Sequence, residues 1–285
     1  MLHDLPIKWI LIIGYLLALL FQKGRPKKIG RGFLWTTFLL HTLILGLLWY
    51  TLRRPPVSNM GETLLYVPWT TVLFGLLFAK KLKYAVPLAA LVPLIFLPDP
   101  LTFSPLPPVL HAPYWLVVHV LMIVGSYGLF FLTALLSHFY LLRKNPSPSL
   151  EKTLMQTLYL GTALLIVGTL LGGMWAQVSW GRFWDWDPKE SWAFISIGFY
   201  LILIHAYRFK HISGRGVASG SLIGLILISF TWYGVNYILG TGLHSYGFGS
   251  GGIFLYLLYI LGEIGFLTFA NKNYKKSLIE KKGGK

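Results

Sequence analysis

Ser221 to Gly240 reads SLIGLILISFTWYGVNYILG, twenty residues without an Asp, Glu, Lys or Arg. About 20 apolar residues in a helix cross a bilayer, so the stretch predicts a transmembrane helix. Trp9 to Phe21, WILIIGYLLALLF, reads the same way. Nine apolar segments occur in the 285 residues, at roughly 7–22, 33–52, 63–79, 82–98, 114–142, 154–175, 191–209, 216–239 and 253–271. The chain is 55% hydrophobic and 12% charged, where soluble domains average about 25% charged residues. No soluble domain remains once the segments are removed. The expected fold is therefore all-α, a polytopic membrane helical bundle of about eight or nine transmembrane helices. The segment at 82–98 is the weakest, being short and carrying Pro87 and Pro93. If it only re-enters, the first three spans reverse their orientation. No small-residue cleavage site follows the first segment, which reads as a retained span rather than a signal peptide.

The net charge of +16 does not point to nucleic acid, because the bases sit in short loops. With nine spans, twenty of the 25 Lys and Arg fall in one set of loops: 22–32, 80–83, 143–153, 208–215 and the C-terminal tail. The other set holds only Lys8, Arg53, Arg54, Arg182 and Lys189. The positive-inside rule puts the first set and the C-terminus in the cytoplasm. The N-terminus, the Pro-rich 98–113 loop and LHSYGFGSGG at 243–252 then face outside. Cysteine is absent, which removes disulfides, thiolate metal sites and a cysteine nucleophile.

The same outer face carries WGRFWDWDPKESW, Trp180 to Trp192. Its thirteen residues hold four tryptophans, three acids and two bases. Asp187 as N-cap, Pro188 at the first helical position and Glu190 as capping-box partner start the seventh span. Trp175 to Trp186 is then expected as the external loop or an interfacial helix. Five of the eleven tryptophans lie between Trp175 and Trp192. An aromatic belt places one or two indoles at a span end. Five, with Arg182, Asp185 and Asp187 among them, point instead to a platform for a large, flat, apolar ligand fixed at its edge by polar groups. Porphyrin is such a ligand.

Eight histidines occur. His3 and His211 read as solvated, and His111 lies in the Pro-rich loop. His119 stands about two turns into the fifth span from the outside, and His244 follows the eighth span in the Gly-rich external loop. Both belong to the level of the tryptophan segment and suit a bis-histidine haem site. His205 lies near the cytoplasmic end of the seventh span, at a depth comparable with His41 and His138. Ionisable groups inside spans are costly and mark function, although each of these rings could equally bond a backbone carbonyl. Glu263 in the ninth span could pair with a histidine or a base.

WGRFWDWDPKESWAF (180–194) resembles the tryptophan-rich WWD signature of haem-handling proteins in cytochrome c biogenesis. YWLVVHVLMIVGSYGLFF (114–131) and VNYILGTGLHSYGFGSG (235–251) resemble the histidine segments of the CcsA (ResC) family of system II. The WWD piece alone also fits the haem-delivery protein CcmC. The resemblance divides the chain into N-terminal spans at 1–112 without a matched motif, a haem-handling core at 113–252, and a last span with a basic tail at 253–285. It implies a subunit of a cytochrome c synthase that carries haem b across a bacterial plasma membrane or thylakoid. The haem is then presented to an apocytochrome bearing Cys-x-x-Cys-His. His119 and His244 match the external ligands of haem iron. His205 matches the ligand of haem in transit, whose second ligand comes from a CcsB (ResB) partner or from His41 or His138. Trp175, Trp180, Trp184, Asp185, Trp186, Asp187 and Trp192 are the expected haem-contacting residues. Two other readings are an accessory protein of tetrapyrrole metabolism that shares the fold, and a di-haem electron carrier. The intact order His119, Trp180–Trp192, His244 stands against the first, and the Gly-rich setting of His244 against the second.

Overall fold

A computed structural model describes residues 6–23, 27–79, 84–99, 101–103, 113–240, 242 and 253–283. His3, His111 and His244 lie outside them. The regular structure among the described residues is entirely helical: α1 (Ile7–Lys23), α2 (Lys27–Leu52), α3 (Met60–Phe78), α4 (Ala85–Ile95), α5 (Pro113–Leu142), α6 (Pro148–Trp180), α7 (Pro188–Arg208), α8 (Gly214–Ser229) and α9 (Ile253–Gly283). A ten-residue π-helix, Phe230–Leu239, continues α8. Among the described residues seven helices are long and apolar enough to cross a membrane: α2, α3, α5, α6, α7, α8 with its π continuation, and α9. The polytopic bundle is as expected.

The weak fourth segment differs from a span. α4 has 11 residues and rises about 16 Å, about half of the roughly 30 Å hydrocarbon thickness. Ala85, Val86, Ala89, Ala90 and Leu94 are all buried, and the helix packs between α1 and α3. Its apolar composition serves the protein core rather than lipid.

The chain divides into two compact units, to both of which α5 and α6 contribute. Unit 1 comprises Met1–Leu132 and Leu160–Asp185, and unit 2 comprises Thr133–Tyr159 and Trp186–Lys285. In unit 1, glycines let helices touch backbone to backbone. Gly128 of α5 meets Thr70 and Thr71 of α3, and Thr71 Oγ1 donates to Gly128 O at 3.2 Å. The turn between α2 and α3 closes on Glu62, which is fully buried. Arg54 forks onto its carboxylate with contacts of 2.7 and 2.8 Å. The Ser58 N–H and the Asn59 side chain also donate to it.

In unit 2, Tyr200 fills the interior and lies against Gly224 of α8. Tyr140 and Tyr207 both donate to Glu151, at 2.7 and 2.6 Å. Arg215 ties the start of α8 to the end of α5 by donating to Leu141 O at 2.9 Å and Arg143 O at 3.2 Å.

Removing one member of a buried ion pair strands the other, at a cost of about 3–5 kcal/mol. Glu62→Ala should lower the thermal unfolding midpoint of the detergent-purified protein accordingly, and a fluorescence melting curve checks it.

Candidate functional site

α6 is longer than its apolar core suggests, since no Gly or Pro interrupts Met174 to Trp180. The first breaker is Gly181, with φ 77°, whose N–H donates to Gln177 O at 3.1 Å. Trp175 and Trp180 therefore stand in a helix. This corrects the expectation of an external loop or interfacial helix over Trp175 to Trp186: Trp175 to Trp180 continue α6, and the loop is Gly181–Asp187.

Within unit 1 the structure brings His119, Trp175 and Trp180 together. His119 of α5 donates from Nδ1 to Gly168 O of α6 at 2.7 Å. One turn on, a Cβ at Gly172 would stand 2.6 Å from the imidazole Cε1. Gly172 thus leaves the space that admits the ring, while Gly168 supplies the carbonyl and lies against Ile123. Trp175 lies parallel to His119, with centroids 6.3 Å apart and planes at 6°. Trp175 is fully buried and meets Trp180 edge-on at 4.6 Å. The loop folds back over α6 through Phe183, whose ring occupies the place of a Cβ on Gly173. Arg182 and Asp185 pair across the loop at 2.8 Å. Trp184 is half-buried.

Within unit 2, Asp187 caps α7 as the sequence predicts. Its side chain accepts the Glu190 N–H at 3.0 Å, Glu190 accepts the Asp187 N–H at 3.3 Å, and Pro188 opens the helix. Asp187 is buried and acts here as architecture. Trp186 is 66% exposed and has φ 56°, a left-handed conformation rare for a bulky residue. Its carbonyl accepts from Ser191 Oγ at 3.0 Å, and its ring meets Phe194 edge-on. Trp192 packs on Phe230 of the π segment, centroids 4.3 Å apart. Gly242, at φ 100°, lies against this cap: a Cβ there would come within 2.7 Å of Pro188 Cδ and 3.0 Å of Asp187 Oδ2. Gly168, Gly172, Gly173, Phe183 and Gly242 escape a reading by composition. The adjacent glycines Gly172 and Gly173 inside an apolar run were the signal available in the sequence.

The intramembrane histidines separate by their ring nitrogens. His41 is fully buried and uses both, toward Tyr15 OH at 3.0 Å and Leu65 O at 3.0 Å. His138 also uses both, toward Ala134 O at 2.9 Å and Glu263 Oε2 at 3.3 Å. Neither ring keeps a nitrogen for iron, and Glu263 finds the histidine partner its position suggested. His205 is exposed and donates from Nδ1 to Leu201 O at 2.7 Å. Its Nε2 has no partner among the described residues.

A family model described as cytochrome C assembly protein matches residues 37–244. The chain belongs to this family. It is an integral, multi-pass membrane protein of cytochrome c biogenesis. It is 33% identical to the cytochrome c biogenesis protein CcsA of Mesostigma viride over 261 residues, covering 76% of this chain and 85% of that protein. CcsA of Chlamydomonas reinhardtii is 32% identical, over 74% of this chain and 66% of that protein. Protein NrfI of Wolinella succinogenes is 39% identical over 236 residues, which is 76% of this chain and only 26% of NrfI. The chain thus spans about a quarter of that relative.

The two polar contacts of the loop, the Asp187 cap and the Arg182–Asp185 pair, should differ in weight. Asp187→Ala removes a helix cap, worth about 0.5–2 kcal/mol. Arg182→Ala breaks a pair in which Arg182 is 52% exposed, and such pairs contribute less than about 1 kcal/mol. Thermal unfolding of the two variants should rank them in that order.

Proposed function

We propose that this chain is the haem-transporting subunit of a system II cytochrome c synthase, presenting haem b to an apocytochrome at Cys-x-x-Cys-His. The observation that carries the reading is the setting of His119. Its Nδ1–H is tied to Gly168 O, which assigns the lone pair of the neutral ring to Nε2, the nitrogen an iron ligand needs. A carbonyl behind a ligating imidazole also fixes its orientation and raises its basicity. Trp175 supports the ring from one side, and Trp180 supports Trp175.

His119 and His244 are the proposed axial ligands of the presented haem. Trp180, Trp184, Trp186 and Trp192 are its proposed apolar contacts, Trp175 acts through His119, and Asp185 and Asp187 hold the loop. The assignment of His244 rests on the resemblance of VNYILGTGLHSYGFGSG (235–251) to the family's histidine segment.

His205 is the proposed ligand during transit. His205 is exposed and its Nε2 has no partner among the described residues, and it lies about 20 Å along α7 from Ser191 at 1.5 Å per residue. One iron cannot engage both levels at once. The other ligand at the His205 level is assigned to a CcsB (ResB)-like partner, since His41 and His138 are committed elsewhere. Charge supports an external tryptophan loop whatever α4 does. From α5 onward, twelve Lys and Arg lie in the 143–153 and 208–215 loops and the tail, against Arg182 and Lys189 beside the tryptophans. The core at 113–252 then works on the outer face, with the C-terminus in the cytoplasm.

The test is maturation of a c-type cytochrome by the full chain with its partner, read by covalent haem staining. His119→Gly and His244→Gly should each abolish most of it, and added imidazole should restore part by filling the vacated axial position. His205→Ala should lower the haem load of the purified complex without imidazole-reversible loss at the outer site. Normal maturation in both glycine variants without imidazole sinks the reading.

A further inference from the structure

α9 is the least embedded membrane helix. Of its span 11% is buried, against 28–56% in the other six. Leu255, Leu258, Leu261, Ile264 and Phe269 point outward. One line of side chains holds it: Tyr256, Glu263, Phe266 and Tyr274, spaced to share a helical face. Tyr256 OH lies 3.1 Å from Ser229 Oγ. The Phe266 ring meets His138 at 4.5 Å, and the Arg215 guanidinium lies 4.0 Å over Tyr274. In the middle stands Glu263, 3.3 Å from His138 Nε2.

The hydrogens of this pair can be counted. Ala134 O only accepts, so His138 Nδ1 carries a hydrogen. A bare Nε2 and a bare carboxylate oxygen at this distance would repel, so the pair carries a second hydrogen, although the two atoms meet at ion-pair distance and are not aligned as a hydrogen bond. The pair is net neutral whether that hydrogen sits on nitrogen or oxygen, which is how two ionisable groups are tolerated inside a span. Two turns toward the start of α9, Tyr256 stacks on Tyr233 at 5.4 Å and leans on Phe230 at 6.4 Å. Phe230 in turn carries Trp192, the last indole of the tryptophan segment.

We propose that His138 and Glu263 are a positioning pair for the haem contact of Trp192. They fix α9 so that Tyr256 holds Phe230, and Phe230 holds Trp192. The inference rests on the haem reading above and adds residues that do not touch haem. Glu263→Gln keeps a neutral hydrogen-bonding group facing Nε2, whereas Glu263→Ala removes the contact. Phe266→Ala removes the ring on His138 without stranding a polar group.

The native chain has no cysteine, so spin labels at Ile223→Cys on α8 and Leu258→Cys on α9 report α9 directly. The full chain with its partner should give one narrow label distance, retained in Glu263→Gln and broadened in Glu263→Ala and Phe266→Ala. Haem per purified complex should fall at least threefold in Glu263→Ala, less in Phe266→Ala, and stay near wild type in Glu263→Gln. A narrow distance in both alanine variants overturns the proposal. So does a broadened distance with full haem load, or a Glu263→Gln variant that behaves like alanine. If the wild-type complex carries no haem at all, the functional reading fails while the label distance still decides whether the pair holds α9.

Discussion

A backbone N–H or C=O facing hydrocarbon has no water to bond, and each unsatisfied group there costs several kcal/mol. All-helical regular structure among the described residues meets that constraint. It also governs the side chains. Thr42, Thr169, Ser196 and Thr268 each return their hydroxyl to the carbonyl four residues earlier. A helical carbonyl has a second lone pair, and the histidines draw on the same reserve. His41, His119, His138 and His205 each spend one ring nitrogen on a carbonyl. The carbonyl fixes the tautomer, and whatever meets the other nitrogen decides what the ring can do.

That division sorts residues which one sequence leaves equivalent. His41 and His205 are both lone histidines in apolar helices. His41 meets the Tyr15 hydroxyl inside a closed core, whereas His205 projects from α7. His138 looked like a spare ligand by depth, but Glu263, 125 positions downstream, occupies it. Which face of a helix a residue occupies depends on how the helices pack, and that is long-range information absent from local composition.

The fold itself was legible where the physics is local. Apolar runs located every long helix, and the Asp187–Pro188–Glu190 pattern located the start of α7, because capping is settled within one turn. Ends were less legible. α6 continues five residues past Trp175, since nothing in AQVSW breaks a helix before Gly181. α4 reads as apolar for a different reason from its neighbours, because most of its side chains are buried in protein. The π-helix at Phe230–Leu239 leaves no periodic signature over so short a stretch. It is seen in its hydrogen bonding, with the Gly240 N–H reaching back five residues to Val235 O at 3.0 Å.

The tryptophans show how a dense motif can divide its labour. Trp175 is fully buried and Trp186 is 66% exposed, though they lie eleven positions apart in one cluster. Trp175 stiffens His119 from behind. Trp186 is held out in a left-handed conformation that costs about 1–3 kcal/mol, offset locally by the Ser191 hydroxyl on its carbonyl and the Asp187 cap that follows. Its ring meets Phe194 edge-on and leaves most of the indole open. Under the proposed haem-handling reading, a flat apolar ligand stacked on Trp186 would offset that cost.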